Sequence, residues 1–266
     1  LSYTRAARVG GTEVLQGLLD DDVFLAETAQ RIFDPALIRR HRLWLNEYLY
    51  YFYYAEKALG DIQADARTRG EEVRDLNRAL IEQLSGIGVG RDPDAALAAY
   101  FAYEQRREAT YMHYARPEAP SMEDADKAIR SVTAHAADGV GEGYAGVALN
   151  IIDAMESGAE CHIGLNVRNG EAIDGLRPDD VVEVSCVVDA KGIRPKKIGT
   201  MPDSPAQLVH NIKRYERLAV TAISERRKDL AVEALIAHAL VLSYSRAEQL
   251  VDEYIAAHSA FAGEWR

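Results

Sequence analysis

The chain has 266 residues, 48% hydrophobic and 27% charged. That ordinary globular composition supports one sizeable core or two modest ones and excludes disorder as the whole answer. A formal charge of −11 and a pI near 5.2 exclude a general surface for nucleic-acid phosphates, although local arginines still hold an anionic substrate inside a cleft.

Leu1 stands in place of an initiator methionine, and the strand-like run from Leu1 to Val9 ends in Gly10-Gly11, so the sequence reads like a segment cut from something longer. A short helix is expected from Glu13 to Leu19, and Asp34-Pro35 opens another that carries Ile38, Leu43 and Leu45. The run Tyr48-Leu-Tyr-Tyr-Phe-Tyr-Tyr54 supplies six rings in seven residues, so some of them must face a cavity or a partner. Apolar residues at helical spacing run from Glu71 until Gly86-Ile-Gly-Val-Gly90, and Asp92-Pro93 caps a further helix through Tyr103 to about Tyr114. Ala115 to Ser121 is a loop by composition.

The glycine-rich Gly139-Val-Gly-Glu-Gly-Tyr144 leads into an apolar helix, Val147 to Met155, after which the period changes from 3.6 to 2. Strands are predicted over His162–Val167, Val181–Val188 and Ile193–Ile198, with turns at Arg168-Asn-Gly170 and Ala190-Lys-Gly192. Helices return at Pro205–Glu225, Lys228–Leu242 and Ser245 to about Ala262. The fold class expected from this order is α+β: one mostly helical unit over residues 1–266 with a small β-sheet near its middle. No run approaches the roughly 18–20 apolar residues of a membrane span, and no secretory signal opens the chain. Cys161 and Cys186 lie in apolar β-rich stretches and are expected to be structural, as in a reduced, soluble, cytoplasmic protein.

Asn46-Glu-Tyr-Leu-Tyr-Tyr51, followed by Arg67-Thr-Arg-Gly-Glu-Glu-Val73, resembles the part of family 4 glycosidases that follows their dinucleotide-binding domain. Leu165-Asn-Val-Arg-Asn-Gly170, Leu176, Asp179-Asp180, Val182-Glu-Val184, Gly192-Ile-Arg-Pro195 and Gly199 follow in the same family's order, as do Tyr215-Glu-Arg-Leu218, Ala234-Leu235 and His238-Ala-Leu240. The 6-phospho-β-glucosidase-like branch is the most similar. The resemblance implies the family's C-terminal fold, like that of lactate and malate dehydrogenases, without the N-terminal Rossmann domain. It also implies a chemistry outside the paired-carboxylate route of most glycosidases: oxidation at carbon 3 by NAD, removal of the carbon 2 proton, elimination, hydration and re-reduction, with a divalent metal, usually manganese, polarising the hydroxyls.

By the same resemblance Tyr48 is the base. A phenol titrates near 10, and bringing it to about 7 requires roughly 4 kcal/mol of preferential stabilisation of the phenolate, which a nearby metal and arginine would supply. Unaided by the motif, Tyr48 reads as one more packing ring beside Tyr50, Tyr51, Tyr53 and Tyr54. Arg69 matches an active-site position where a guanidinium fork would hold a sugar phosphate; otherwise it is a solvated arginine at a helix start. Arg107, with Arg106, is similar to an Arg-x-x-x-Tyr-Met stretch of some relatives, and Tyr144 falls at their substrate-side tyrosine, although the arginine of their Arg-Gly-Gly is missing.

The family's Cys and Asn-His metal ligands are not found, and Cys161-His162 is a poor substitute because neighbours on a strand point to opposite faces. The Gly139 stretch lacks a preceding strand for a dinucleotide pyrophosphate. NAD and manganese are therefore expected in the full-length enzyme and not tightly on this chain, which is expected to be inactive alone and to form homo-oligomers around a glycoside substrate. His238 is expected to end a helix. Two other readings stand: a non-catalytic binding or assembly domain derived from that fold, and a related 2-hydroxy acid dehydrogenase, whose His/Arg/Asp set has no place here.

Overall fold

The computed structural model describes residues 2–112, 115 and 143–266, with side chains in that last stretch from residue 146. The predicted loop at 116–121 and the glycines at 139–142 lie outside the described residues. Gly10 and Gly11, at φ 56° and 85°, turn a hairpin between β2 (Arg8–Val9) and β3 (Thr12–Glu13). Such positive φ values cost glycine little and a β-carbon more. The first helix, α1 (Leu15–Leu19), starts two residues later than expected because Glu13 is in the hairpin, where its carboxylate accepts the N–H of Leu15 at 2.9 Å. Asp21 caps α2 (Asp22–Glu27) by accepting from Val23 and Phe24.

Pro35 opens α3 (Pro35–His41) with the Asp34 carboxylate as its cap. This helix does not extend to Leu43 and Leu45. Arg42 takes a left-handed φ of 55°, closes the helix through its N–H to the Ile38 carbonyl, and anchors its guanidinium on Asp20 at 2.8 Å. Trp44–Leu45 then forms β4, antiparallel to β1 (Tyr3–Thr4). Gln30, fully buried in the 3-10 turn Ala29–Ile32, donates to the Leu45 carbonyl at 2.7 Å and accepts the Leu45 N–H at 3.1 Å. Its amide supplies the pairing that this edge of a two-residue strand would otherwise lack. Leu15, Leu19, Leu25, Ile38, Leu45 and Leu49 form the core of this part.

Two short helices, α4 (Tyr50–Tyr53) and α5 (Ala55–Ala64), lead to α6 (Arg69–Ile87). Thr68 and Glu71 form a capping box at its start: the Thr68 hydroxyl accepts the Glu71 N–H at 3.2 Å and the Glu71 carboxylate accepts the Thr68 N–H at 2.9 Å. Those bonds hold the Glu71 carboxyl below its ordinary pKa. The next helix, α7 (Pro93–Ala109), packs against α6 and ends five residues earlier than expected, with Thr110 and Tyr111 beyond it and Met112 at a left-handed φ of 49°.

After α8 (Gly143–Ser157) come β5 (Cys161–Arg168), β6 (Val181–Asp189) and β7 (Gly192–Pro195), an antiparallel sheet in that order. Its core face carries Val182, Val184 and Cys186. The expected turn at Arg168-Asn-Gly170 is the start of a longer loop. The buried Asn169 side chain spans that loop, accepting the Ile173 N–H at 2.9 Å and donating to the Ile173 and Leu176 carbonyls. Two ion pairs fasten the sheet: Arg194 grips Asp189 through two bonds of 2.6 and 2.7 Å, and Arg217 reaches the buried Asp180 at 2.6 Å.

The remaining helices are α9 (Asp203–Glu225), α10 (Lys228–Ala237), α11 (Tyr244–Ala257) and α12 (Ser259–Ala262). α10 ends at Ala237 with His238 as its C-cap, a helix-end residue as expected, but five residues short of the predicted Leu242, which has a left-handed φ of 47°. No described helix is long and apolar enough to cross a membrane. The mostly helical α+β class read from the sequence agrees with these elements.

Candidate active site

Tyr48 sits in the 3-10 turn Glu47–Leu49, which Asn46 caps by accepting the Tyr48 N–H at 3.0 Å. Asn46 is itself held by its N–H to the Ser2 carbonyl at 3.1 Å. The next two residues, Leu49 and Tyr50, are buried anchors, and the turn geometry sends Tyr48 the other way, so that it is 49% exposed.

The neighbouring rings have structural tasks. Tyr50 is buried and its hydroxyl accepts from the Lys57 ammonium at 3.1 Å, the Tyr54 hydroxyl accepts the Asp34 N–H at 2.8 Å, and Tyr53 shares a 3.1 Å hydrogen bond with Tyr3. Burial pushes the Tyr3 and Tyr53 phenols upward, further from ionisation. Tyr48 therefore differs from Tyr53 and Tyr54 of its run: it is 49% exposed where their hydroxyls are bonded within the protein.

Across from Tyr48 stands Tyr111, ring to ring edge-on with centroids 6.4 Å apart. The Tyr111 hydroxyl oxygen is buried. Burial, first, and then the nearby Tyr48, Glu47 and Tyr51 oxygens raise the Tyr111 pKa well above its ordinary value. Tyr111 thus stays protonated.

Arg69 reaches the same corner from the first turn of α6. It donates to Glu72 at 2.7 Å, to the Arg107 carbonyl at 2.6 Å and to the hydroxyl of Thr110, the residue before Tyr111. The guanidinium is thereby a strap across the C-terminal end of α7, where carbonyls lack helical partners and a positive charge opposes the helix dipole. It is neither a simply solvated arginine nor one pointing only at an open cleft. Arg107 is exposed, and its guanidinium donates to the Tyr103 hydroxyl at 3.3 Å, which in turn donates to Asn77 at 2.6 Å. Arg106, also exposed, contributes its carbonyl to the Thr110 hydroxyl at 3.1 Å. Tyr144 is in the first turn of α8, and its side chain lies outside the described residues.

The Arg69 guanidinium thus lies at the end of α7 and Tyr48 packs on Tyr111 just beyond that end, while the Arg107 guanidinium turns back to Tyr103. Thr110 and Tyr111 join them and were missed by reasoning from sequence. The signal was present, since Arg107-Glu-Ala-Thr-Tyr111-Met112 was weighed for its arginine and not for its tyrosine.

A cleft of about 880 Å³ lies elsewhere, between the outer face of the sheet, α9 and the N-terminal strand. Three of the five cations that line it are engaged, Lys196 with His162 at 3.2 Å, Lys213 with Glu216 at 2.6 Å, and Arg5 with the carbonyls of Ile198 and Thr200; Arg8 and Lys197 line it as well. Its size alone does not make it the site.

Among the described residues no three His, Cys, Asp or Glu side chains come together as metal donors. Cys161 and His162 sit at successive positions of β5, opposite Val188 and Val187, and so on opposite faces. Cys186 is fully buried, which pushes its thiol up and makes it inert. The described residues therefore offer no ready-made set of metal donors.

The chain spans about half the length of the solved structures it resembles. One is the 6-phospho-beta glucosidase of Thermotoga maritima with manganese, NAD+ and glucose-6-phosphate: 21% identity, TM-score 0.67, 98% of this chain and 51% of that one. That likeness shows the shared fold. Among curated proteins, the chain is 33% identical over 118 residues to a probable 6-phospho-beta-glucosidase of Bacillus subtilis, covering 44% of this chain and 27% of that protein. It is 30% identical over 122 residues to the 6-phospho-beta-glucosidase BglT of Thermotoga maritima, covering 46% of this chain and 29% of that protein. The sequence profile described as the family 4 glycosyl hydrolase C-terminal domain matches residues 1–241. With the fold and nearly the whole length in agreement, the chain belongs to the C-terminal domain family of the family 4 glycosyl hydrolases.

Proposed function

We propose that this chain is the C-terminal portion of an enzyme that hydrolyses 6-phospho-glycosides, that it forms a single domain over residues 1–266, and that Tyr48 accepts the proton from carbon 2 of the sugar. The observation that carries this reading is the 49% exposure of Tyr48 on its capped turn, while the hydroxyls of Tyr3, Tyr53 and Tyr54 are tied into the protein. A proton acceptor must reach its substrate. Arg69 and Arg107 place positive charge at the same helix end, which suits the phosphate of an anionic sugar. NAD and a divalent metal would supply hydride transfer and polarisation of the hydroxyls, from groups other than the described residues. Alone, the chain would be inactive.

The relatives' names support the substrate class: the curated proteins are called 6-phospho-beta-glucosidases, and the solved one holds glucose-6-phosphate. We also infer self-association in the cytoplasm, because α9 exposes Val220 and Ile223, each 65% exposed, and Phe261 of α12 is 90% exposed. A non-catalytic assembly domain is the second reading, favoured by Arg69 being bonded within the protein.

The test is turnover of a 4-nitrophenyl 6-phospho-glucoside with NAD+ and Mn2+. The natural full-length protein should release nitrophenol and sediment above its monomer mass, whereas residues 1–266 alone should release none. Absence of turnover by the full-length protein across phosphorylated and plain glycosides would leave the assembly reading.

A further inference from the structure

Charge is unevenly spread over this chain. Its formal total is −11, yet the cleft between the outer face of the sheet, α9 and the N-terminal strand is lined by five cations, Arg5, Arg8, Lys196, Lys197 and Lys213, and by only two carboxylates, Glu183 and Glu216. At about 880 Å³ the cleft has the volume of a small-molecule site, and walls carrying an excess of one sign focus their field into such a space.

The cations differ in what they do. Arg5 is held by the Ile198 and Thr200 carbonyls, Lys213 by Glu216 and the Val181 carbonyl, and Lys196 stands at the His162 ring. Arg8 lies opposite Glu13 in the β2–β3 hairpin. Lys197 is exposed and its ammonium has no ion pair or hydrogen bond among the described residues, although its backbone is fixed on both sides: the Lys196 N–H donates to Ser185 at 2.8 Å and the Ile198 N–H to Ala172 at 2.7 Å. The start of α9 adds to the same sign. Met201, Pro202 and Pro205 line the cleft, no side chain caps this 23-residue helix, and Asp203, the acidic residue of its first turn, does not line the cleft.

The other half of the lining is apolar. Leu208, Val209 and Ile212 present one stripe of α9 to the cleft, and Ile173 and Ile198 join them from the loops beside the sheet. Inorganic phosphate would leave that stripe facing water, and a neutral apolar molecule would leave the excess of cations unanswered.

We propose that this cleft binds an organic anion, a phosphate or carboxylate joined to an apolar body, with its head drawn to the Lys197 wall and its body against the α9 stripe. This goes beyond the sugar chemistry proposed above and does not depend on Tyr48 being the base.

The experiment is calorimetric titration and amide NMR of the 266-residue chain with naphthyl phosphate, naphthoate, naphthol and inorganic phosphate. At least one naphthyl anion should bind at a single site about tenfold or more tighter than naphthol or inorganic phosphate, weaken as salt is raised, and shift the amides of Lys197 and of Val209–Ile212. The tighter of the two anions tells a phosphate ligand from a carboxylate one. Lys197→Glu should reduce that affinity about tenfold, and Ser185→Trp, which fills the cleft from an exposed position of β6 without changing charge, should reduce it as well. Both positions are exposed, so both variants should keep the wild-type melting temperature. Naphthol binding as tightly as the anions, no saturation by about 10 mM, or affinities unchanged in both folded variants overturns the proposal. Shifts centred on Tyr48 and Tyr111 instead of the cleft also overturn it, and leave the reading of Tyr48 untouched.

Discussion

Tyr48 and Tyr111 show how differently two phenols behave when one is half in solvent and the other has its hydroxyl buried. The Asn46 cap and the Leu49–Tyr50 anchors aim the first outward, and burial beside three oxygen-bearing neighbours holds the proton on the second. Tyr48 was legible in the sequence through the Asn-x-Tyr-Leu pattern, whereas composition alone made it one ring among six. Arg69 stood out in the sequence as a candidate but not as a strap, because its partners are 38 and 41 positions away and no local pattern announces them. Asp189 gives a residue-scale prediction of another kind. The Arg194 guanidinium, first, and the Lys191 N–H hold its carboxyl at about 2, below the ordinary carboxylate value. A depressed pKa means that the pair contributes stability above the unfolded value and loses it as pH falls through the folded one. The gap in melting temperature between the wild type and Asp189→Asn should accordingly narrow as pH drops from about 4 to about 2. Thermal melts across that range check it, and a constant gap would refute the assignment.

At the scale of elements, helix interiors were readable because capping residues and apolar spacing are local: Asp92 with Pro93 and Asp34 with Pro35 start helices where expected, whereas the Thr68 cap starts α6 at Arg69, two residues before the apolar run that opens at Glu71. Helix ends were less so. α3, α7 and α10 each stop short of the predicted residue, and left-handed Arg42, Met112 and Leu242 follow. None of the three is glycine, so the sequence carries no warning; the conformation is set by tertiary contacts such as the Arg42–Asp20 pair. Gln30 is the clearest case of long-range determination. Its amide satisfies both backbone groups of Leu45, turning a predicted helix residue into a strand residue. Gln30→Leu keeps the volume and strands two buried backbone groups, which should cost about 2–4 kcal/mol. Urea unfolding measures this, and a loss under about 1 kcal/mol would show that water or a local shift satisfies Leu45 instead.

For the molecule as a whole, the apolar residues are divided among an N-terminal core, the inner face of the sheet and the α10–α11 pair. The strongly patterned motifs at Leu165–Gly199 turn out to build a scaffold: Asn169 spans a loop, Asp180 takes Arg217, and Asp189 takes Arg194. Those residues identify the family because the fold needs them, while the candidate site rests on the turn at Glu47–Leu49 and the end of α7, joined only in space. A motif therefore revealed membership more readily than chemistry. The most direct test of the account is solvent-deuterium incorporation at carbon 2 of a bound 6-phospho-glucoside, followed by mass spectrometry in the natural full-length protein with NAD+ and Mn2+. The wild type should incorporate deuterium and Tyr48→Phe should incorporate none while still binding NAD; incorporation at the wild-type rate by Tyr48→Phe would contradict it.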